Sequence, residues 1–80
     1  MPVIFTRHVL QQAISRDITR DEIVAVLASP DSTVTGTGGK FIAQKKAGDQ
    51  LLQVVHRVDE QGDIIVITAY KTSKVAKYST

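Results

Sequence analysis

Two runs near the end of the chain, residues 51–58 (LLQVVHRV) and 63–70 (DIIVITAY), are crowded with β-branched residues and are separated only by Asp59-Glu60-Gln61-Gly62. Such side chains suit a pleated, half-buried surface, and a polar loop with a late glycine reverses the chain. The pair is expected to form an antiparallel hairpin. Sorted at a period of two, the second run places Ile65, Ile67 and Ala69 on one face and Ile64, Val66, Thr68 and Tyr70 on the other. The purely apolar set is expected to face helices. If Leu52, Val54 and Val58 are the core residues of the first run, Gln53 and Arg57 join Thr68 and Tyr70 on the opposite face. A slip of one residue would reverse every side chain in this register.

What covers the hairpin is written in the first thirty residues. Thr6 can cap a helix over residues 7–15, in which Val9, Leu10, Ala13 and Ile14 recur at helical spacing against a polar face of His8, Gln11, Gln12 and Ser15. Arg16-Asp17-Ile18 interrupts the pattern. Thr19-Arg20-Asp21-Glu22 then forms a capping box, so a second helix starts at Arg20, carries Ile23, Val24, Val26 and Leu27 on its apolar stripe, and stops at Ser29-Pro30. Residues 33–35 and 40–46 read as a shorter hairpin around Gly36-Thr37-Gly38-Gly39, and Ala47-Gly48-Asp49 is the following turn. The expected architecture is α+β, with two N-terminal helices packed on a curved antiparallel sheet of about four strands. Residues 71–80, with Val75 and Tyr78 as their large apolar side chains, form either a docked turn or a loose tail.

Eighty residues support a single domain over positions 1–80, because a chain this short buries only about 60–65% of its unfolded surface. With no cysteine, disulfides, thiolate metal sites and a cysteine nucleophile are excluded, and two histidines are too few for most structural zinc sites. No apolar run, Ile64 to Ile67 included, can span a bilayer, and the first ten residues lack a signal-peptide core, so a cytoplasmic protein without membrane contact is expected. Carboxylates are scattered through caps and turns, which argues against a magnesium site or a paired-carboxylate hydrolase. The glycine cluster lacks the Lys-Ser/Thr of a phosphate loop and opens a strand, so it reads as a turn. No metal or cofactor is implied.

The net charge of +2 is uneven: from residue 40 onward Lys40, Lys45, Lys46, Arg57, Lys71, Lys74 and Lys77 face four acids. Two readings stand side by side, contacts with a nucleic-acid backbone or solvated lysines that keep the domain soluble. On the first, Lys45, Lys46, Arg57, Lys74 and Lys77 line a groove for phosphates, with Tyr70 and Tyr78 available for stacking. His8, on the polar face of the first helix, is the natural acid or base; its plain alternative is a surface histidine. His56 falls on the core side and reads as a hydrogen-bonded, partly buried residue. Metal-independent attack of an RNA 2′-hydroxyl needs only a base, an acid and cations around the phosphate, which His, Tyr, Arg and Lys supply.

The order Phe5-Thr6-Arg7-His8, Arg16-Asp17-Ile18-Thr19, Ser29-Pro30 and Val66-Ile67-Thr68-Ala69-Tyr70 resembles a bacterial family, domain of unknown function 4258. The resemblance runs over nearly the whole chain and is carried by the ordered combination. It implies a fold similar to the RelE-like and BrnT-like toxins of the barnase, colicin and RelE group, with RNA cleaved on the sheet and a cognate antitoxin as partner. It implies His8, Arg16, Thr68 and Tyr70 as the family-matching polar positions, and Asp17 stands where a glycine is common. The lysines come from the basic patch and not from the family pattern. The alternative is a non-catalytic RNA- or protein-binding domain on the same scaffold, a homodimer formed through an exposed strand edge. Thr19, Pro30, Thr68 and Tyr70 also have plain readings as cap, helix stop and sheet surface, and Arg16 as a helix C-terminal cap.

Overall fold

The structure, a computed structural model, describes residues 2–72. The chain opens with a three-residue strand, β1 (Val3–Phe5), and enters helix α1 (Arg7–Ser15) through Thr6, whose hydroxyl accepts the Val9 N–H at 3.2 Å. Helix α2 (Arg20–Ala28) begins at the capping box: the Glu22 N–H donates to Thr19 Oγ1 at 3.1 Å and the Thr19 N–H donates to Glu22 Oε1 at 2.9 Å. Ser29 is its C-cap and Pro30 follows directly. Strands β2 (Ser32–Thr35) and β3 (Phe41–Ala47) flank a 3₁₀ turn, Thr37–Gly39, in which Gly38 and Gly39 take φ of 73° and 76°. Strands β4 (Gln50–Val58) and β5 (Ile64–Thr72) form the long hairpin.

These strands make one sheet in the order β1-β5-β4-β3-β2, antiparallel throughout except that β1 runs parallel to β5. The sheet therefore has five strands and is mixed, where the sequence led us to expect about four, all antiparallel. Three residues are too few to display a period of two, and a parallel partner lies at the far end of the chain, so β1 leaves no local signal. Lys71 and Thr72 extend β5 and do not begin a tail. The rest of that segment, with Lys74, Val75, Lys77 and Tyr78, lies outside the described residues.

The helices cover one face. Val9 and Ala13 of α1, Ile18 of the link, and Ile23 and Val26 of α2 pack on Ala43, Leu52, Val54, Val66 and Ala69, with Val3, Phe5 and Leu27 at the margin. The alternation expected for β5 fails midway. Val54 pairs with Ala69 and Val55 with Thr68, but His56 pairs with Val66, so a bulge at Ile67 brings Val66 and Ala69 to the same core. An extra residue changes parity, which corrects the assignment of Ile65 and Ile67 to the helix side and of Val66 away from it. Val58, also expected in the core, is 44% exposed, and Ile14 of the supposed apolar face of α1 is 79% exposed. Gln53 pairs with Tyr70 and, with Gln44 and Leu51, is buried on the opposite parity. Among the described residues no helix is long and apolar enough to cross a membrane.

Candidate functional site

Positions 8, 12 and 16 recur every four residues, so their side chains share one stripe of α1 and its C-cap. The neighbouring stripe, Val9 and Ala13, is buried against the sheet and fixes this one along β5. The helix ends in a Schellman motif: Asp17 N–H donates to the Ile14 carbonyl at 3.1 Å and Ile18 N–H to the Ala13 carbonyl at 2.8 Å. Asp17 takes φ 58°, the left-handed conformation that such an ending requires. That is the physical reason a glycine suits this position and a short polar residue tolerates it.

The motif leaves Arg16 at the C-cap, with its side chain laid on β5. Nη1 donates to Thr68 Oγ1 at 3.1 Å and to the Ala69 carbonyl at 2.8 Å. Thr68 Oγ1 donates in turn to Gln12 Oε1 at 3.0 Å, and Gln12 Nε2 lies 2.8 Å from His8 Nε2. One continuous chain of hydrogen bonds thus joins His8, Gln12, Thr68 and Arg16 across the α1–β5 seam. Arg16 is held through Nη1 alone, and its Nε and Nη2 donors are not engaged by any described residue. These two nitrogens form the fork that binds a carboxylate or phosphate in two places.

A cleft of about 470 Å³ opens beside Arg16, lined also by Asp17, Gln50, Tyr70 and Lys71. Lys71 Nζ donates to the Asp17 carbonyl at 3.0 Å and lies 3.8 Å from Glu22 Oε2, which ties the start of α2 to the end of β5. The Glu22 carboxyl is held below the usual range, chiefly by the Thr19 backbone N–H. Partial burial opposes this, and the Thr19 hydroxyl and the Lys71 ammonium add to it.

The structure brings His8, Arg16, Thr68 and Tyr70 to this seam and places the described members of the basic patch, Lys45, Lys46 and Arg57, away from it. Lys45 Nζ donates to the Ser29 carbonyl at 2.8 Å and so closes the C-terminus of α2. The Lys46 backbone N–H donates to the Asp31 carboxylate at 2.8 Å, and its side chain is exposed near the β3–β4 turn. Arg57 pairs with Ile65, away from Tyr70, and lines a hollow with Val58 and residues 59–61. Neither Lys45 nor Arg57 joins the cleft at Tyr70, because register places them elsewhere on the sheet. Lys74 and Lys77 lie outside the described residues. His56 is 8% exposed, stacks on Phe41 with centroids 5.8 Å apart, and has Nδ1 3.3 Å from the Val54 carbonyl. Gln12 has no chemical mark that sets it apart on the polar face of α1; its position four residues from both His8 and Arg16 is the sequence signal that joins it to them.

The model of a family described as Domain of unknown function (DUF4258) matches residues 5–71. No match was found among the curated proteins or the solved structures. The positions carrying the resemblance divide physically. Thr6, Asp17, Thr19 and Pro30 start or end helices, and Phe5 packs on the core margin with the Arg20 guanidinium 5.4 Å from its ring centre. Arg16 closes α1 through its backbone N–H, but its side chain, like those of His8 and Thr68, makes its hydrogen bonds at the seam.

Proposed function

The chain belongs to the DUF4258 family, and from that premise we propose that it is an RNA-directed domain of RelE-like kind, a metal-independent endoribonuclease acting as the toxin of a toxin–antitoxin pair. The observation that carries this reading is Arg16: a guanidinium pinned on one nitrogen, with its two-pronged edge left over beside a cleft that Tyr70 lines. In the proposed complex this edge holds the scissile phosphate, and its planar geometry suits two phosphate oxygens better than a lysine would. Tyr70 positions the nucleotide, and Lys71 adds positive charge at the rim. His8 is the proton-handling side chain, connected to Arg16 through Gln12 and Thr68. Fixed donors around a phosphate lower the cost of charge that develops in phosphoryl transfer.

A second reading, binding without cleavage, is favoured by one contact: His8 Nε2 is occupied by Gln12. The two are separated by incubating the purified protein with total and ribosome-bound RNA in excess EDTA, with His8→Ala in parallel. Cleavage by the parent protein that is lost in the variant supports the ribonuclease. RNA retained by the protein and left intact supports the binding domain, and neither cleavage nor retention rejects both.

A further inference from the structure

We infer that Gln12 is a positioning residue that fixes His8 in its Nδ1–H tautomer, so that α1 presents an N–H donor, and not a ring lone pair, to an anion bound at the seam. This rests on the reading of the seam as an RNA-directed site and narrows the part His8 plays in it.

Direction along the chain follows from Arg16. A guanidinium has donors and no acceptor, so Thr68 Oγ1 must accept from Nη1 at 3.1 Å. The Thr68 hydroxyl then has one hydrogen to give, and Gln12 Oε1 stands 3.0 Å away to take it. With the amide oxygen thus occupied, the amide nitrogen faces His8 and donates to Nε2 at 2.8 Å. An Nε2 that accepts carries no hydrogen, which in a neutral ring places the proton on Nδ1. Turning the Gln12 amide over would aim a second donor at Thr68 and leave the Thr68 hydroxyl hydrogen without its acceptor in this chain. The arrangement in which each link of this chain pairs a donor with an acceptor is therefore the one that Arg16 dictates.

The chemical consequence concerns which nitrogen meets substrate. His8 is exposed and its Nδ1 makes no hydrogen bond with any described residue, so this edge is open to a ligand while Nε2 is backed by Gln12. Neutral His8 then stabilises negative charge on a phosphate oxygen by donating a hydrogen bond. It takes up a proton at Nε2 only when Gln12 turns or leaves. A histidine acting as a simple surface base would show the reverse, a free lone pair outward and no oriented partner behind it.

Imidazole nitrogen shifts decide the question in the full-length, ¹⁵N-labelled protein at about pH 8.5, where an imidazole is neutral. Long-range ¹⁵N–¹H correlations assigned with His8→Asn are expected to show a protonated Nδ1 and an unprotonated Nε2. Gln12→Glu replaces the amide by a group that only accepts, and is expected to move the His8 proton to Nε2. Gln12→Leu is expected to give averaged shifts of both tautomers, and Thr68→Ser, which keeps the hydroxyl, to retain the parent pattern. A parent protein with Nε2–H, or a Gln12→Glu variant with the tautomer unchanged and the fold intact by circular dichroism, overturns the inference. Should a Gln12 variant not fold, the parent tautomer alone still decides. Because the readout is spectroscopic, an Nδ1–H result alongside failure to cleave RNA would sink the ribonuclease reading and leave this one standing.

Discussion

Arg16 and Lys45 occupy equivalent stations and have been given opposite tasks. Each joins the C-terminal end of a helix to the sheet: Arg16 reaches from the C-cap of α1 to the Ala69 carbonyl of β5, and Lys45 reaches from β3 to the Ser29 carbonyl at the C-cap of α2. The lysine is a point charge directed at the negative end of a helix dipole, and this contact is a sufficient account of it. The arginine, which lines the cleft, makes two bonds through one nitrogen and retains three N–H groups that no described residue engages. A cation near a helix end is therefore not evidence of function by itself. What distinguishes the two is the donor capacity left after the structural contacts are made.

Substitutions at four positions test that contrast, from the largest expected effect to the smallest. Arg16→Ala is expected to lower RNA cleavage by about 100-fold or more, as the loss of a fixed transition-state donor does, and Arg16→Lys should not restore it because the fork is absent. Equal activity in Arg16→Lys would break the comparison. Asp17→Gly relieves a left-handed residue at the end of α1 and should stabilise the fold by about 0.5–1 kcal/mol in urea unfolding; Asp17→Val should destabilise it. Lys45→Ala should reduce stability by roughly 0.3–1 kcal/mol and leave cleavage within about twofold, since a helix-end charge is all it removes.

The smallest effect concerns Glu22. Its carboxyl titrates lower in the folded chain than in the unfolded one, so its contribution is present above the unfolded value and is lost as pH falls through the ordinary carboxylate range and below. Glu22→Gln should flatten the fall in melting temperature over that acidic window and change little at neutral pH. The side chain is 37% exposed, which keeps the effect small. An unaltered acid slope in the variant would remove Glu22 from the linkage of α2 to Lys71 and β5.

Elements specified by neighbours in sequence were the legible ones. Thr6, the Thr19–Glu22 box and Pro30 act within three or four residues of themselves, and α1 and α2 begin where these residues place them. The hairpin of β4 and β5 was legible for the same reason. Features that depend on distant partners were not. Strand β1 exists because Val3, Ile4 and Phe5 lie beside Ile64, Ile65 and Val66, 61 residues on. The bulge at Ile67 is a matter of pairing with β4, and nothing in the pattern of residues 63–70, DIIVITAY, breaks its alternation. The candidate site shows the same division: His8, Arg16, Thr68 and Tyr70 stood out as residues, while Gln12 is defined only by what it connects. Lys45 and Arg57, counted from the sequence into one phosphate groove, sit apart from the cleft because charge counted along a sequence carries no register.

The most direct test of the account is cleavage of ribosome-bound RNA in excess EDTA by three proteins prepared identically: the parent chain, Arg16→Ala and Lys45→Ala. The account requires cleavage by the parent and by Lys45→Ala and its loss in Arg16→Ala, with all three folded by circular dichroism. Cleavage that survives in Arg16→Ala, or that falls equally in both variants, would contradict the assignment of the α1–β5 seam as the site.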